Sequence, residues 1–98
     1  FTAEVLDAQA ALALGVVRNV VPQDDLLTEG LAFCSKLATG PTQAYGRMKQ
    51  NLAFSETHSL AESLDNEARN QRLAGMTKDS REAVQAFLEK REPRFVGE

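Results

Sequence analysis

The chain has 98 residues, 43% hydrophobic and 26% charged, which is ordinary for a soluble globular protein and allows at most one domain. Its net charge of -3 comes from 14 acidic and 11 basic residues that are spread along the chain. The sequence therefore contains no basic stripe long enough to bind along a nucleic-acid backbone. No apolar run reaches the roughly 20 residues of a membrane span, and the single cysteine, Cys34, cannot form an internal disulfide. We therefore expect no nucleic-acid or membrane partner and a reducing compartment, the cytoplasm or an organelle matrix, with the cytoplasm favoured.

The N-terminal part predicts one short helix and one extended segment. Asp7 precedes an alanine- and leucine-rich run that Gly15 closes, which is the order of an N-cap, helix formers and a C-terminal glycine. Residues 16–21 are mostly valine and end at Pro22, so they predict an extended segment. A single strand lacks partners for its backbone groups, and the chain opens on Phe1 instead of methionine, so we expect the fold to continue upstream.

Two amphipathic helices are predicted for the middle of the chain. The first begins at Asp24 or Asp25 and ends at Gly40. Its apolar stripe consists of Leu27, Leu31, Cys34 and Leu37. The next helix begins at Pro41, a residue suited to the first helical position. Its apolar stripe consists of Ala44, Tyr45, Met48 and Leu52.

Two further helices complete the prediction. Ser59 and Glu62 form a capping box, and the helix they start runs to about Leu73 with Asp65 placed to pair with Arg69. Asp79 and Glu82 are predicted to form the capping box of the last helix, which stops near Pro93, and residues 94–98 should dock or fray. The fold class is therefore mainly α, with one short extended segment near residues 16–21.

The usual residues of catalytic chemistry give little signal. His58 is the only histidine and lies between two predicted helices, so a surface position is favoured over a metal site. Cys34 lies on an apolar stripe and is expected to be a small buried hydrophobe. Because serines and glycines also lack nucleophile or phosphate-loop spacing, we predict no catalytic residue, no metal ligand and no prosthetic group in this chain.

One group of residues on the last predicted helix indicates a ligand-binding site. Phe87, Lys90 and Arg91 are three and four residues apart, which places an aromatic ring and two cations on one side of a helix, with Arg94 just beyond. Such a group suits the base and phosphates of a nucleotide. The alternative is that Phe87 belongs to the core and that the cations only complement the negative end of the helix dipole.

The order of segments resembles the enoyl-CoA hydratase/isomerase (crotonase) family. Phe1-Thr2, Asp7-Ala8-Gln9, Gly15-Val16-Val17 and Val20-Val21-Pro22 are similar to its "FTG…A.EAL..GLV..VVP" stretch. Residues 79–95 resemble its closing "D.REG..AFLEKR.P.F.G". Ala3 and Ala83 stand where that pattern has glycine, and Ala83 should strengthen the last helix. Residues 71–75 are similar to phenylacetate-pathway isomerases and hydratases.

The resemblance implies a division of the chain. Residues 1–22 would end the ββα spiral core, and residues 23–98 would form the C-terminal helical region that builds homotrimers or dimers of trimers. The oxyanion-hole amides and catalytic glutamates of the family lie upstream of Phe1, and none is carried over. Phe87 and Lys90 match the residues that approach coenzyme A, which enters as part of the acyl-CoA substrate. Arg91 and Arg94 are weaker candidates, and Gln71 replaces a second aromatic found in some relatives.

The resulting functional hypothesis is the C-terminal part of an enoyl-CoA hydratase/isomerase acting on acyl-CoA thioesters. It would provide oligomer contacts and part of the CoA surface, while the isolated region would be inactive. The alternative is a stand-alone helical oligomerisation module without ligand or catalysis.

Overall fold

The chain is built almost entirely from α-helices. A computed structural model describes residues 2–98 and contains α1 (Ala8–Ala13), a 3-10 turn (Gln23–Asp25), α2 (Leu26–Ala38), α3 (Thr42–Ser55), α4 (Leu60–Gly75) and α5 (Lys78–Glu89). The mainly α prediction is confirmed, and no strand forms within the described residues. Contacts divide the chain into two compact units, Phe1–Cys34 and Ser35–Glu98.

In the first unit, α1 has the ends that its sequence predicts. The Asp7 carboxylate accepts the Ala10 N–H at 2.8 Å. Gly15 then adopts a left-handed φ of +73°. This turn lets the Gly15 N–H reach the Leu12 carbonyl at 3.0 Å and the Val16 N–H reach the Ala11 carbonyl at 2.9 Å. The two bonds form a Schellman motif, for which glycine is the favoured residue.

The segment predicted to be extended, residues 16–21, is non-helical but does not form a strand. Bends occupy residues 16–18, and residues 19–22 are irregular. The reason is that a ladder needs a second strand, and none is present within residues 2–98. Arg18 instead lies over the Phe33 ring at 4.3 Å from its centroid.

The α2 helix exposes the stripe that was predicted to be apolar and inward. Leu27 is 72% exposed, and Leu31 and Leu37 are also exposed. Cys34 is exposed as well, so its predicted burial is wrong for this chain. The helical spacing is as expected, but no described element covers this face.

In the second unit, side-chain amides join α3 to α4. The Asn51 Oδ1 atom accepts Asn70 Nδ2 at 2.6 Å and Asn66 Nδ2 at 3.0 Å. Asn70 is only 5% exposed. Leu52 and Leu60, by contrast, are strongly exposed. Leu52 and Leu60 of the predicted apolar stripes therefore do not contribute to the buried contact between the two helices, where the asparagines satisfy one another's hydrogen bonds.

The start of α4 matches its prediction in detail. Ser59 and Glu62 form the reciprocal capping box, and the helix continues to Gly75. His58 precedes it as an exposed residue, stacked on Phe54 at 3.6 Å between ring centroids. The predicted Asp65–Arg69 ion pair does not form among the described residues.

Candidate functional site

The predicted N-cap of α5, Asp79, is wrong. Thr77 is the N-cap, and its side chain accepts the Ser80 N–H at 3.0 Å. Asp79 is therefore the second helical residue and is only 2% exposed. Its carboxylate accepts the Val96 N–H at 2.7 Å and the Gly97 N–H at 2.9 Å. The C-terminal tail thus docks on the first turn of α5.

Phe87 lies on α5 and faces solvent. It is 82% exposed, whereas its neighbour Ala86 is 1% exposed. The alternative in which Phe87 belongs to the core therefore does not hold within residues 2–98. An aromatic ring this exposed provides apolar surface that another molecule or chain could cover.

Lys90 lies beyond the end of α5, in the left-handed conformation. The helix ends at Glu89, and Lys90 has φ +55° and ψ +40°. The Lys90 N–H donates to the Phe87 carbonyl at 3.2 Å, and the Arg91 N–H donates to the Ala86 carbonyl at 3.0 Å. This is a second Schellman motif, with lysine where α1 has glycine. The assumption that Lys90 and Arg91 continue the helical spacing is therefore wrong.

Arg91 folds back over α5 and binds two glutamates. Its guanidinium contacts Glu82 at 2.6 and 3.1 Å and Glu89 at 2.5 Å. Glu82 also accepts the Arg94 backbone N–H at 2.8 Å. The Arg91 hydrogen bonds, with the smaller contribution of the Arg94 N–H, lower the pKa of Glu82 to about 2. Arg91 also lowers the pKa of Glu89, and the two carboxylates raise the pKa of Arg91.

These pairings distinguish the four residues that the sequence brought forward. Arg91 is engaged by carboxylates, which removes it as a free cation for an anionic ligand. Lys90 pairs with no carboxylate in the described part of the chain. Phe87 therefore remains as an exposed ring and Lys90 as an unpaired cation three residues later in the sequence, while Arg94, whose side chain also forms no ion pair within residues 2–98, remains the weaker candidate. An aromatic face beside an ammonium can hold a heterocycle or chain next to a phosphate.

Sequence reasoning missed Glu82 and Asp79 as organisers of this region. Both were assigned to helix capping, because a carboxylate near a helix start usually has that role. The only available signal was an acidic pair followed by a basic, proline-containing tail, and that pattern does not specify which groups meet. Among residues 2–98 no group of three or more metal-ligating side chains occurs. No helix there combines the length and apolar character that crossing a membrane requires.

Comparisons with known proteins agree on one family. A family model described as Enoyl-CoA hydratase/isomerase matches residues 1–98. The chain is similar to the 1,2-epoxyphenylacetyl-CoA isomerase of Escherichia coli, with 41% identity over 92 residues, 94% of this chain and 35% of the relative. It is also similar to the 2,3-dehydroadipyl-CoA hydratase of the same species, with 36% identity over 94 residues, 96% of this chain and 37% of the relative.

The fold is found in solved structures of the same kind. A crystal structure of an enoyl-CoA hydratase from Geobacillus kaustophilus superposes with a TM-score of 0.90 at 31% identity, covering 99% of this chain and 37% of the other. One from Bacillus anthracis gives a TM-score of 0.83 at 32% identity, with 93% and 35% coverage. The chain thus spans between 35% and 37% of the length of these relatives. It belongs to the enoyl-CoA hydratase/isomerase family.

Proposed function

We propose that the chain is the C-terminal helical region of an enoyl-CoA hydratase/isomerase that acts on acyl-CoA thioesters. In this proposal it supplies oligomer contacts and, through Phe87 and Lys90, one wall of a coenzyme A site. The observation that carries the proposal is an exposed Phe87 ring three residues before Lys90, a lysine that pairs with no carboxylate within residues 2–98.

The CoA role follows from the chemistry of these two side chains. The Lys90 ammonium would bind a phosphate of CoA, and the Phe87 ring would pack on the adenine or the pantetheine chain. A charge-assisted contact plus aromatic burial is worth about 1 to 3 kcal/mol of binding free energy. Arg91 contributes indirectly, since its charge is already matched by Glu82 and Glu89.

The oligomer role is supported by the distribution of apolar side chains. Ala86 is the only hydrophobic residue that the described chain buries fully. The α2 stripe, Leu52 on α3 and Leu60 on α4 all face outward. Exposed apolar faces of this extent mark interaction surfaces. We propose that they contact the remainder of the enzyme and neighbouring subunits in a homotrimer or a dimer of trimers.

The chemical step is assigned to no residue of this chain. Hydration or isomerisation of a thioester needs donors for the developing oxyanion and a positioned acid and base. We propose that those groups lie in the part of the fold that this chain does not span. Similarity to a 1,2-epoxyphenylacetyl-CoA isomerase makes an aromatic acyl-CoA of phenylacetate degradation the first substrate to test.

The test is a calorimetric titration of the whole protein with CoA. Lys90→Ala and Phe87→Ala should each weaken binding, by about 5- to 50-fold for the charge-assisted contact. Lys49→Ala, which removes an exposed lysine from α3, is the matched control and should bind as the unsubstituted protein does. Equal affinity of Lys90→Ala and the control would contradict the CoA role.

The second candidate is a helical oligomerisation module that binds no ligand. The observation that favours it is the exposure of apolar side chains on α2, α3 and α4. It predicts self-association in analytical ultracentrifugation with no heat on CoA addition. A heat of CoA binding that the unsubstituted protein shows and Lys90→Ala lacks would exclude this candidate.

A further inference from the structure

We infer that Glu82 is a positioning residue that holds Lys90 in the conformation from which its ammonium meets the CoA phosphate. This inference rests on the CoA role proposed above for Lys90. In this role Glu82 contacts no ligand. It acts through Arg91 and Arg94, which follow Lys90 along the chain.

A left-handed residue other than glycine is disfavoured by about 1 to 2 kcal/mol, so surrounding contacts must hold it in place. On one side of Lys90, the hydrogen bonds of the Schellman motif attach the turn to Phe87 and Ala86. On the other side, Glu82 binds the Arg91 guanidinium with both oxygens and the Arg94 backbone N–H with one. The turn that contains Lys90 is therefore tied down at both ends.

Glu89 directly precedes Lys90, and Glu82 lies on the same helix two turns earlier. Unpaired, these carboxylates would attract the Lys90 ammonium and repel a phosphate. Arg91 lies within 2.6 Å of both carboxylates. The arrangement thus keeps the ammonium of Lys90 available for an anionic ligand.

Glu92 differs from Glu82 and Glu89 in that its carboxylate does not bind the turn. Glu92 is a neighbouring exposed glutamate, yet only its backbone carbonyl accepts from Arg91, at 3.2 Å. No ion pair of the Glu92 carboxylate forms within residues 2–98. Glu92→Ala therefore removes the same charge and a similar side chain without releasing the turn, which makes it a matched control for Glu82→Ala.

The experiment measures the affinity of the whole protein for CoA and for an acyl-pantetheine that lacks phosphates. Glu82→Ala should weaken CoA binding by about 3- to 10-fold, as expected when one charge-assisted contact is loosened, and should leave pantetheine binding unchanged. In a Lys90→Ala background the same substitution should have no further effect on CoA binding. Glu92→Ala should behave as the unsubstituted protein in every assay.

Each contrary outcome has its own meaning. If Lys90→Ala binds CoA normally, the proposed CoA role fails and takes this inference with it. If Lys90→Ala loses affinity but Glu82→Ala does not, only the positioning role is overturned. An equal loss for CoA and pantetheine, or a loss that persists without Lys90, would show a general structural effect and also overturn it. Should Glu82→Ala not fold, Glu82→Gln, which keeps an acceptor for Arg94, is measured by the same criteria.

Discussion

The carboxylate of Asp79, in the first turn of α5, accepts the backbone N–H of Val96 at 2.7 Å. It also accepts the Gly97 N–H, while its own backbone N–H donates to the Glu98 carbonyl at 3.0 Å. The tail is held further by the Gln43 side chain, which donates to the Gly97 carbonyl at 3.4 Å. A buried carboxylate with two backbone donors thus joins the end of the chain to α5.

Replacing Asp79 by alanine should release the tail. The substitution leaves two backbone N–H groups without their acceptor, which costs about 2 kcal/mol in the free energy of unfolding. Urea denaturation measures this loss, and hydrogen exchange of the Val96 and Gly97 amides should accelerate. Asp65→Ala, on the exposed face of α4, is the control and should change stability little. Unchanged exchange in Asp79→Ala would contradict the role of Asp79 as the anchor.

Replacing Lys90 by glycine should separate its conformation from its charge. Glycine adopts the left-handed region freely, so Lys90→Gly should raise the free energy of unfolding by about 1 kcal/mol. Lys90→Ala keeps the strained φ and should give no such gain. Both variants lack the ammonium and should weaken CoA binding alike. Thermal unfolding measures the change in stability, and calorimetry measures CoA binding. A stability gain in both variants would argue against strain at this position.

Restoring the family's two glycines should have opposite effects. Ala3 has a left-handed φ of +52°, so Ala3→Gly should stabilise the protein by about 1 kcal/mol. The departure at Ala3 is therefore less mild than the sequence indicated. Ala83 lies inside α5, so Ala83→Gly should destabilise it by about 1 kcal/mol, in keeping with the predicted helix strengthening. Denaturation midpoints of the two variants should move apart, and movement in the same direction would contradict the backbone assignment.

The Glu82–Arg91 pair should make the free energy of unfolding depend on pH at acidic values. The folded protein holds the pKa of Glu82 at about 2, below the ordinary value of 4.5. A lowered folded pKa stabilises the fold fully above the ordinary value, and this contribution is lost as the pH falls from 4.5 towards 2. Glu82→Gln should therefore flatten the acid-unfolding profile across that window. Glu92→Gln is the control, and a profile equally steep in both variants would contradict the assignment.

Much of the local structure could be predicted because it depends on neighbours within a few residues. The cap at Asp7, the glycine turn at Gly15 and the Ser59–Glu62 box all join residues three to five positions apart, and all were predicted. Helix faces were less predictable. The spacing of Met48 and Leu52 indicates an apolar stripe but not whether the partner helix lies on it, and here Asn51 makes that contact instead.

The candidate site shows the same difference between features that the local sequence predicts and features that it does not. The sequence by itself determined five helices and brought Phe87 and Lys90 forward as an aromatic ring and a cation. Only the tertiary structure decided that Asp79 holds the tail, that Glu82 binds Arg91, and that Lys90 leaves the helix in a left-handed turn. The physical reason is separation along the chain for the contacts of Asp79 and Glu82, and for Lys90 it is that a lysine gives no signal for a left-handed turn, as glycine would. Glu82 and Arg91 are 9 residues apart and Asp79 and Val96 are 17 apart, so their contacts exist only once α5 ends and the tail folds back upon it.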